Sequence, residues 1–242
     1  LGKNHTRKTH VASMHFLIPI GFAVIIGLIT FFISANKTKK NLAAHSKPLQ
    51  IPELENVIQT LAEALDLNHL RVHIYNIEPV NGLAAPDGQI YITQGFLSKF
   101  SKGDVSAEEI ASVIAHELGH VALGHSRRRM IDFSGQNALR TALSITLNRF
   151  IPFIGPWLAN FAITLIAARM SRKDEFEADS YATALMLKSG LGTVPQKRLL
   201  QKLKNLTGDN EEIPVWFKSH PKVNERIKAI ELNERKWTGY VS

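Results

Sequence analysis

The chain has 242 residues, 45% of them hydrophobic and 21% charged, a globular balance with room for one well-buried domain and an accessory segment. It contains no cysteine, which excludes disulfide scaffolds, thiolate metal sites and cysteine nucleophiles together and leaves the redox compartment open. The formal net charge of +8 is dispersed, without interleaved aromatic and basic residues, so no nucleic-acid partner is expected.

The first element is apolar. Phe16 to Ala35 runs for 20 positions without a charge, the length that a helix rising about 1.5 Å per residue needs to cross a bilayer core of about 30 Å. The run is longer than the apolar stretch of a cleaved signal peptide and has no small residue two positions before Ala35, so an uncleaved anchor is expected. Residues 1–35 are therefore read as a basic segment and a single-pass transmembrane helix, with bilayer lipid as a partner. Lys3, Arg7 and Lys8 precede it and Lys37, Lys39, Lys40 and Lys47 follow it, a balance that sets no orientation.

Residues 36–50, rich in Lys, Asn and Ser and closed by Pro48, read as a polar linker, and residues 51–242 as the folded domain. Leu54, Val57, Ile58, Leu61 and Leu65 recur at helical spacing and predict an amphipathic helix over 52–66. Arg71 to Ile77 alternates as a strand. Asn81 to Ala85 and Gln89 to Thr93 flank the turn Pro86-Asp87-Gly88 and predict a short hairpin. Ser106 with Glu109 three positions on is a capping box that starts the next helix. Residues 150–168 form a second uncharged stretch broken by Pro152, Gly155 and Pro156. Further helices are expected over 196–206 and 221–232.

The helix opened by Ser106 carries His116, Glu117 and His120 in an otherwise apolar run. Residues four apart share a helix face, so the two imidazoles can reach one metal ion while Glu117 stands beside its open position. Two histidines leave a catalytic zinc site one ligand short. A third histidine is needed six positions after His120, and His125 falls five after it, so His125 is read as a helix-end or surface residue. The other source is a glutamate from a second helix, and residues 171–182 offer Glu175 with Asp179 one turn later on the same face.

His-Glu-Leu-Gly-His at 116–120, Ser-Arg-Lys-Asp-Glu-Phe-Glu-Ala-Asp at 171–179 and Ser-His-Pro-Lys-Val-Asn-Glu-Arg-Ile at 219–227 occur in that order. Together they resemble the gluzincin metallopeptidases of the CAAX prenyl protease and HtpX-like family, over roughly residues 50 to 235. The resemblance implies a predominantly helical α+β, zincin-like peptidase domain with a small β-sheet, holding one zinc ion per chain. It implies that His116, His120 and Glu175 hold the metal, with Glu117 as general base and His220 as a donor to the oxyanion. It further implies that Asp179 orients His116, that Arg226 supports His220, and that Asn81, Gly82, Leu83, Ala84 and Ala85 form an edge strand for polypeptide substrates. Gly82 and Asp87 depart from the pattern there.

If these ligands share an ion, residues 150–168 cannot cross a bilayer once, since His120 and Glu175 would then face opposite sides. Nineteen residues are too few for two spans, which leaves core, an interfacial hairpin or a lid. The expected protein is a membrane-anchored zinc endopeptidase, of a bacterial cell membrane type, acting on unfolded or membrane-associated proteins. The rivals are a metal-stabilised binding module and a structural anchor protein. Glu117 argues against both, because a site that only holds metal needs no base beside it.

Overall fold

A computed structural model describes residues 25, 29, 32, 33, 36, 37, 39–85, 87–125, 144, 155–205 and 223–239. Two compact units are distinguished, one of residues 1–37 and 126–170, the other of 38–125 and 171–242. In the first unit, the described positions of the Phe16–Ala35 run, Ile25, Ile29, Phe32 and Ile33, are helical and exposed. The rest of that run lies outside the described residues. Among the described residues no helix is long and apolar enough to cross a membrane.

The second unit contains a four-stranded sheet ordered β1 (Ser46–Pro48), β2 (Val72–Tyr75), β4 (Ile90–Thr93), β3 (Gly82–Ala84). β2 and β4 are parallel, and β1 and β3 flank them antiparallel. β3 pairs with β4 with Gly82 opposite Ile92 and Ala84 opposite Ile90, the expected hairpin, and it forms one edge of the sheet. Around the sheet lie α1 (Pro52–Ala64), α2 (Gln94–Ser101), α3 (Ala107–Ala122), the C-terminal part of α4 (Gly155–Lys188), α5 (Val194–Asn205) and α6 (Val223–Thr238).

α3 is the centre of the packing. Every residue from Glu109 to His120 is buried, so this helix has no solvent face over three turns. A helix enclosed on all sides sits between layers, and α3 packs against α1, α5, β3 and β4. Its start is fixed as the sequence requires: Ser106 accepts from the Glu109 amide at 3.2 Å, and the Glu109 carboxylate accepts from the Ser106 amide at 2.9 Å. Two orphan amides of the first turn are thereby satisfied.

The segment read as a polar linker is partly folded. Residues 39–44 are helical and Ser46–Pro48 form β1. The cause is two apolar side chains amid the lysines: Leu42 is buried against Tyr91 and Ala85 on one face of the sheet, and Leu49 joins the main core. α4 is also longer than expected. Residues 155–168 run as one helix into the part bearing Glu175, and residues 150–154 of the second uncharged stretch lie outside the described residues. Neither Gly nor Pro occurs between Trp157 and Lys188 to interrupt it, and Pro156 lies at its start, where proline is tolerated.

Candidate metal centre

Four elements of the second unit converge on one buried site. α3 supplies His116, Glu117 and His120, α4 supplies Glu175 and Asp179, α6 supplies Arg226, and β3 runs beside α3. The four-residue spacing places the His116 and His120 rings on one face, with centroids 4.8 Å apart and planes at 86°. Their Nε2 atoms are 3.2 Å apart. Glu175 faces both rings, with Oε2 3.4 Å from His116 Nε2 and Oε1 3.5 Å from His120 Nε2.

Those three separations test whether a zinc ion suits the residues present. Tetrahedral ligands with bonds of about 2.0–2.1 Å stand about 3.3–3.4 Å from one another. The three separations are of that size, with the Glu175 carboxylate meeting each imidazole through a different oxygen. One ligand atom from each residue lies within 4.8 Å of the others, and two imidazoles with one carboxylate are a donor set of catalytic zinc sites. All three ligand candidates are buried.

The close approach of α4 to α3 depends on Gly119. A Cβ there would lie 3.0 Å from both the Cα and the carbonyl oxygen of Ala178, so a hydrogen at this position lets the helices meet. Glu175 stands three residues before Ala178 and is carried to the histidines by that contact. On the opposite side, a Cβ on Gly82 of β3 would collide with Val113 and would sit 3.6 Å from Cγ of Glu117. The edge strand is thus laid directly along the glutamate.

A second layer of side chains supports the first. Asp179 Oδ1 accepts from His116 Nδ1 at 3.0 Å. The Arg226 guanidinium grips the same carboxylate twice, Nε to Oδ2 at 2.6 Å and Nη2 to Oδ1 at 2.7 Å. Asp179 and Arg226 are each 1% exposed. Burial alone would raise the Asp179 pKa, but Arg226 and His116 outweigh it and hold the carboxyl at about 2. Burial alone would lower that of His116, and the carboxylates of Asp179 and Glu175 outweigh it and lift the metal-free ring to about 9. Both shifts follow from fixed opposite charges at hydrogen-bond range in a low dielectric.

Of the residues singled out in the sequence, the structure therefore brings together His116, Glu117, His120, Glu175, Asp179 and Arg226, with Gly82 beside Glu117. Gly82, Leu83 and Ala84 are β3, and Asn81 and Ala85 flank it, hydrogen-bonded to Thr93 and Gln89. Arg226 is found on Asp179. His220, which it was expected to support, lies outside the described residues. Of the two places expected for His125, helix end or surface, the surface is overturned: it lies just past the end of α3 and is buried, 1% exposed, with Nδ1 2.8 Å from His120 Nδ1 and Nε2 3.1 Å from Glu177 Oε2. Five positions on an ideal helix point about 140° away. The helix, however, ends at Ala122, and Gly124 in the left-handed region (φ +65°) turns His125 back towards the site.

Two imidazoles and a carboxylate at metal-ligand separations, with a second glutamate beside them, define the class of metal-dependent hydrolases. The chain matches Peptidase family M48 over residues 48–234 and belongs to that family. It is 29% identical to Metalloprotease LoiP of Escherichia coli over 177 residues, covering 72% of this chain and 68% of that protein. It is 24% identical to a Protease HtpX homolog of Leptothrix cholodnii, covering 88% and 85%. It is 22% identical to human mitochondrial Metalloendopeptidase OMA1, covering 66% of this chain and 31% of that longer protein.

Proposed function

We propose that the protein is a membrane-anchored zinc metalloendopeptidase that cuts unfolded or membrane-associated polypeptides, in a quality-control role. The observation that carries this reading is the buried group of His116, His120 and Glu175, with donor separations of 3.2, 3.4 and 3.5 Å, beside Glu117 and Asp179. His116, His120 and Glu175 would hold one zinc ion, and when bound it supplies Lewis acidity to the scissile carbonyl and to a water molecule.

The chain's own residues do the rest. Glu117 accepts the proton of the attacking water and returns one to the leaving amine. Asp179 keeps the Nδ1 proton of His116 in place, so Nε2 presents its lone pair to the centre, and Arg226 keeps Asp179 ionised. His220 donates to the tetrahedral oxyanion. The outer edge of β3 takes an extended peptide by backbone hydrogen bonds, which gives weak selectivity for sequence and places a main-chain carbonyl beside Glu117. The exposed helical positions Ile25, Ile29, Phe32 and Ile33 support an anchor over Phe16–Ala35.

The test is cleavage of a reduced, unfolded protein substrate by the chain and by Glu117→Gln, each with its zinc content measured. Glu117→Gln should hold the same zinc and cut at least about 10²-fold more slowly. Equal rates, or a zinc-loaded wild type that cuts nothing, would refute the reading. Removing residues 1–35 should abolish carbonate-resistant membrane association, and unchanged association would remove the anchor.

A further inference from the structure

Beside the metal centre stands a second cluster. His125, Asp174 and Glu177 bring ligand atoms within 4.8 Å of one another, and His125 and Asp174 are buried. One imidazole and two carboxylates could be a second cation site or a hydrogen-bonded support for the first. Where the protons sit decides between them, on the reading above that His120 faces the ion through Nε2.

A histidine that ligates through Nε2 carries its remaining proton on Nδ1. His120 Nδ1 lies 2.8 Å from His125 Nδ1. His120 is then the donor, so His125 Nδ1 is the bare acceptor, and a neutral imidazole with bare Nδ1 has its proton on Nε2. That Nε2 is 3.1 Å from Glu177 Oε2, a donor facing a carboxylate. The other Glu177 oxygen is 3.5 Å from Lys173 Nζ. Asp174 Oδ1 is 4.0 Å from His125 Nε2, beyond hydrogen-bond range. A second ion on His125 Nε2 would force the proton onto Nδ1 and set two N–H groups against each other at 2.8 Å. The two occupancies are mutually exclusive.

We propose that His125 is a positioning residue for the metal centre: backed by Glu177, it fixes the tautomer and orientation of His120, as Asp179 does for His116. The two ligand histidines are thus held by different devices, one by a carboxylate directly and one by an imidazole with a carboxylate behind it. The pairing of His125 with Glu177 also ties the end of α3 to α4, beyond the Gly119–Ala178 contact.

The experiment is chelator competition for zinc on the 242-residue chain, comparing wild type with His125→Phe and His125→Asn. Phe keeps the ring's bulk without an acceptor, whereas Asn keeps an acceptor near Nδ1. One zinc should bind per wild-type chain, its affinity should fall about 10–100-fold in the Phe variant, and the Asn variant should recover most of it. Recovery separates positioning from a folding defect. ¹⁵N resonances of the zinc-loaded wild type should show His125 with bare Nδ1 and protonated Nε2. Equal affinity in wild type and Phe variant, a proton on Nδ1, or a second zinc that His125→Phe abolishes would each overturn the proposal. A wild type that binds no zinc overturns it together with the reading it rests on, which tells the two failures apart.

Discussion

The buried pair of Asp179 and Arg226 gives the most informative perturbation. In Asp179→Asn the shape is kept and His116 Nδ1 still finds an acceptor, but the negative charge facing Arg226 is gone. Arg226 is 1% exposed and makes two hydrogen bonds of 2.6 and 2.7 Å to that carboxylate. Breaking a buried pair by removing one partner costs about 3–5 kcal/mol, because the remaining charge stays desolvated and uncompensated. Replacing both partners removes the stranded guanidinium, so Asp179→Asn with Arg226→Met should regain the part of that loss due to Arg226, while the part due to the His116 proton stays lost. Metal affinity should behave differently. A neutral amide does not raise the basicity of His116 as a carboxylate does, so zinc binding should stay about 10–100-fold weak in both the single and the double variant. Denaturant unfolding of the metal-free chains measures the first quantity and chelator competition the second. If the single variant loses less than about 1 kcal/mol, Asp179 is not what holds the Arg226 charge. If the double variant recovers zinc affinity, Asp179 acts on Arg226 and not through His116.

Gly119→Ala pits two magnitudes against each other. The new Cβ would meet Ala178 backbone atoms at 3.0 Å, overpacking that costs about 1–3 kcal/mol, against about 1 kcal/mol gained in helix propensity. A net loss of about 0–2 kcal/mol in a thermal melt is expected, with a larger relative loss of zinc affinity as Glu175 moves out with α4; a more stable variant with unchanged affinity would contradict the helix-contact argument. The pH dependence of the metal-free chain has two limits. Asp179, held at about 2, contributes stability that is present above about 3.8 and lost as pH falls through about 2; His116, lifted to about 9, contributes stability present below about 6.5 and lost as pH rises through about 9. Because the ligand form of His116 lacks the proton it holds below about 9, zinc affinity should climb about tenfold per pH unit towards that value, and a pH-independent affinity measured by competition would contradict it.

The parts of the site written in local spacing were legible before any coordinates. His116 and His120 share a face because they are four apart, and Glu109 marks the start of their helix because it stands three after Ser106. The β3–β4 hairpin followed from Pro86-Asp87-Gly88, and Gly88 takes the left-handed conformation at φ +83°. What escaped were contacts that no period encodes. Arg226 meets Asp179 across 47 positions, and no pattern in either helix says that a guanidinium points inward. The burial of His125 escaped because its place depends on where α3 ends, not on where the helix would carry it. β1 was missed because a strand of three residues at a sheet edge, with Lys47 at its centre and Pro48 at its end, has polarity that matches a linker, and only Leu42 and Leu49 betray the burial around it.

The charge around the two ligand histidines argues for a divalent cation on its own terms. Arg226 stands within the fields of Asp179, Glu175 and Glu117, which together raise its affinity for its proton. With the three carboxylates ionised and the imidazoles neutral, this buried group carries a formal charge of about −2 after Arg226 is counted. A core that merely packed would not retain it, since each uncompensated buried charge costs several kcal/mol. The proton taken by His116 in the absence of metal offsets part of it. One doubly charged ion on His116, His120 and Glu175 releases that proton and cancels the whole, while Arg226, spent on Asp179, is kept from competing for Glu175. Arg226 is thus held on Asp179, on the far side of His116 from the ion, and Glu175 is left to face the two ligand histidines.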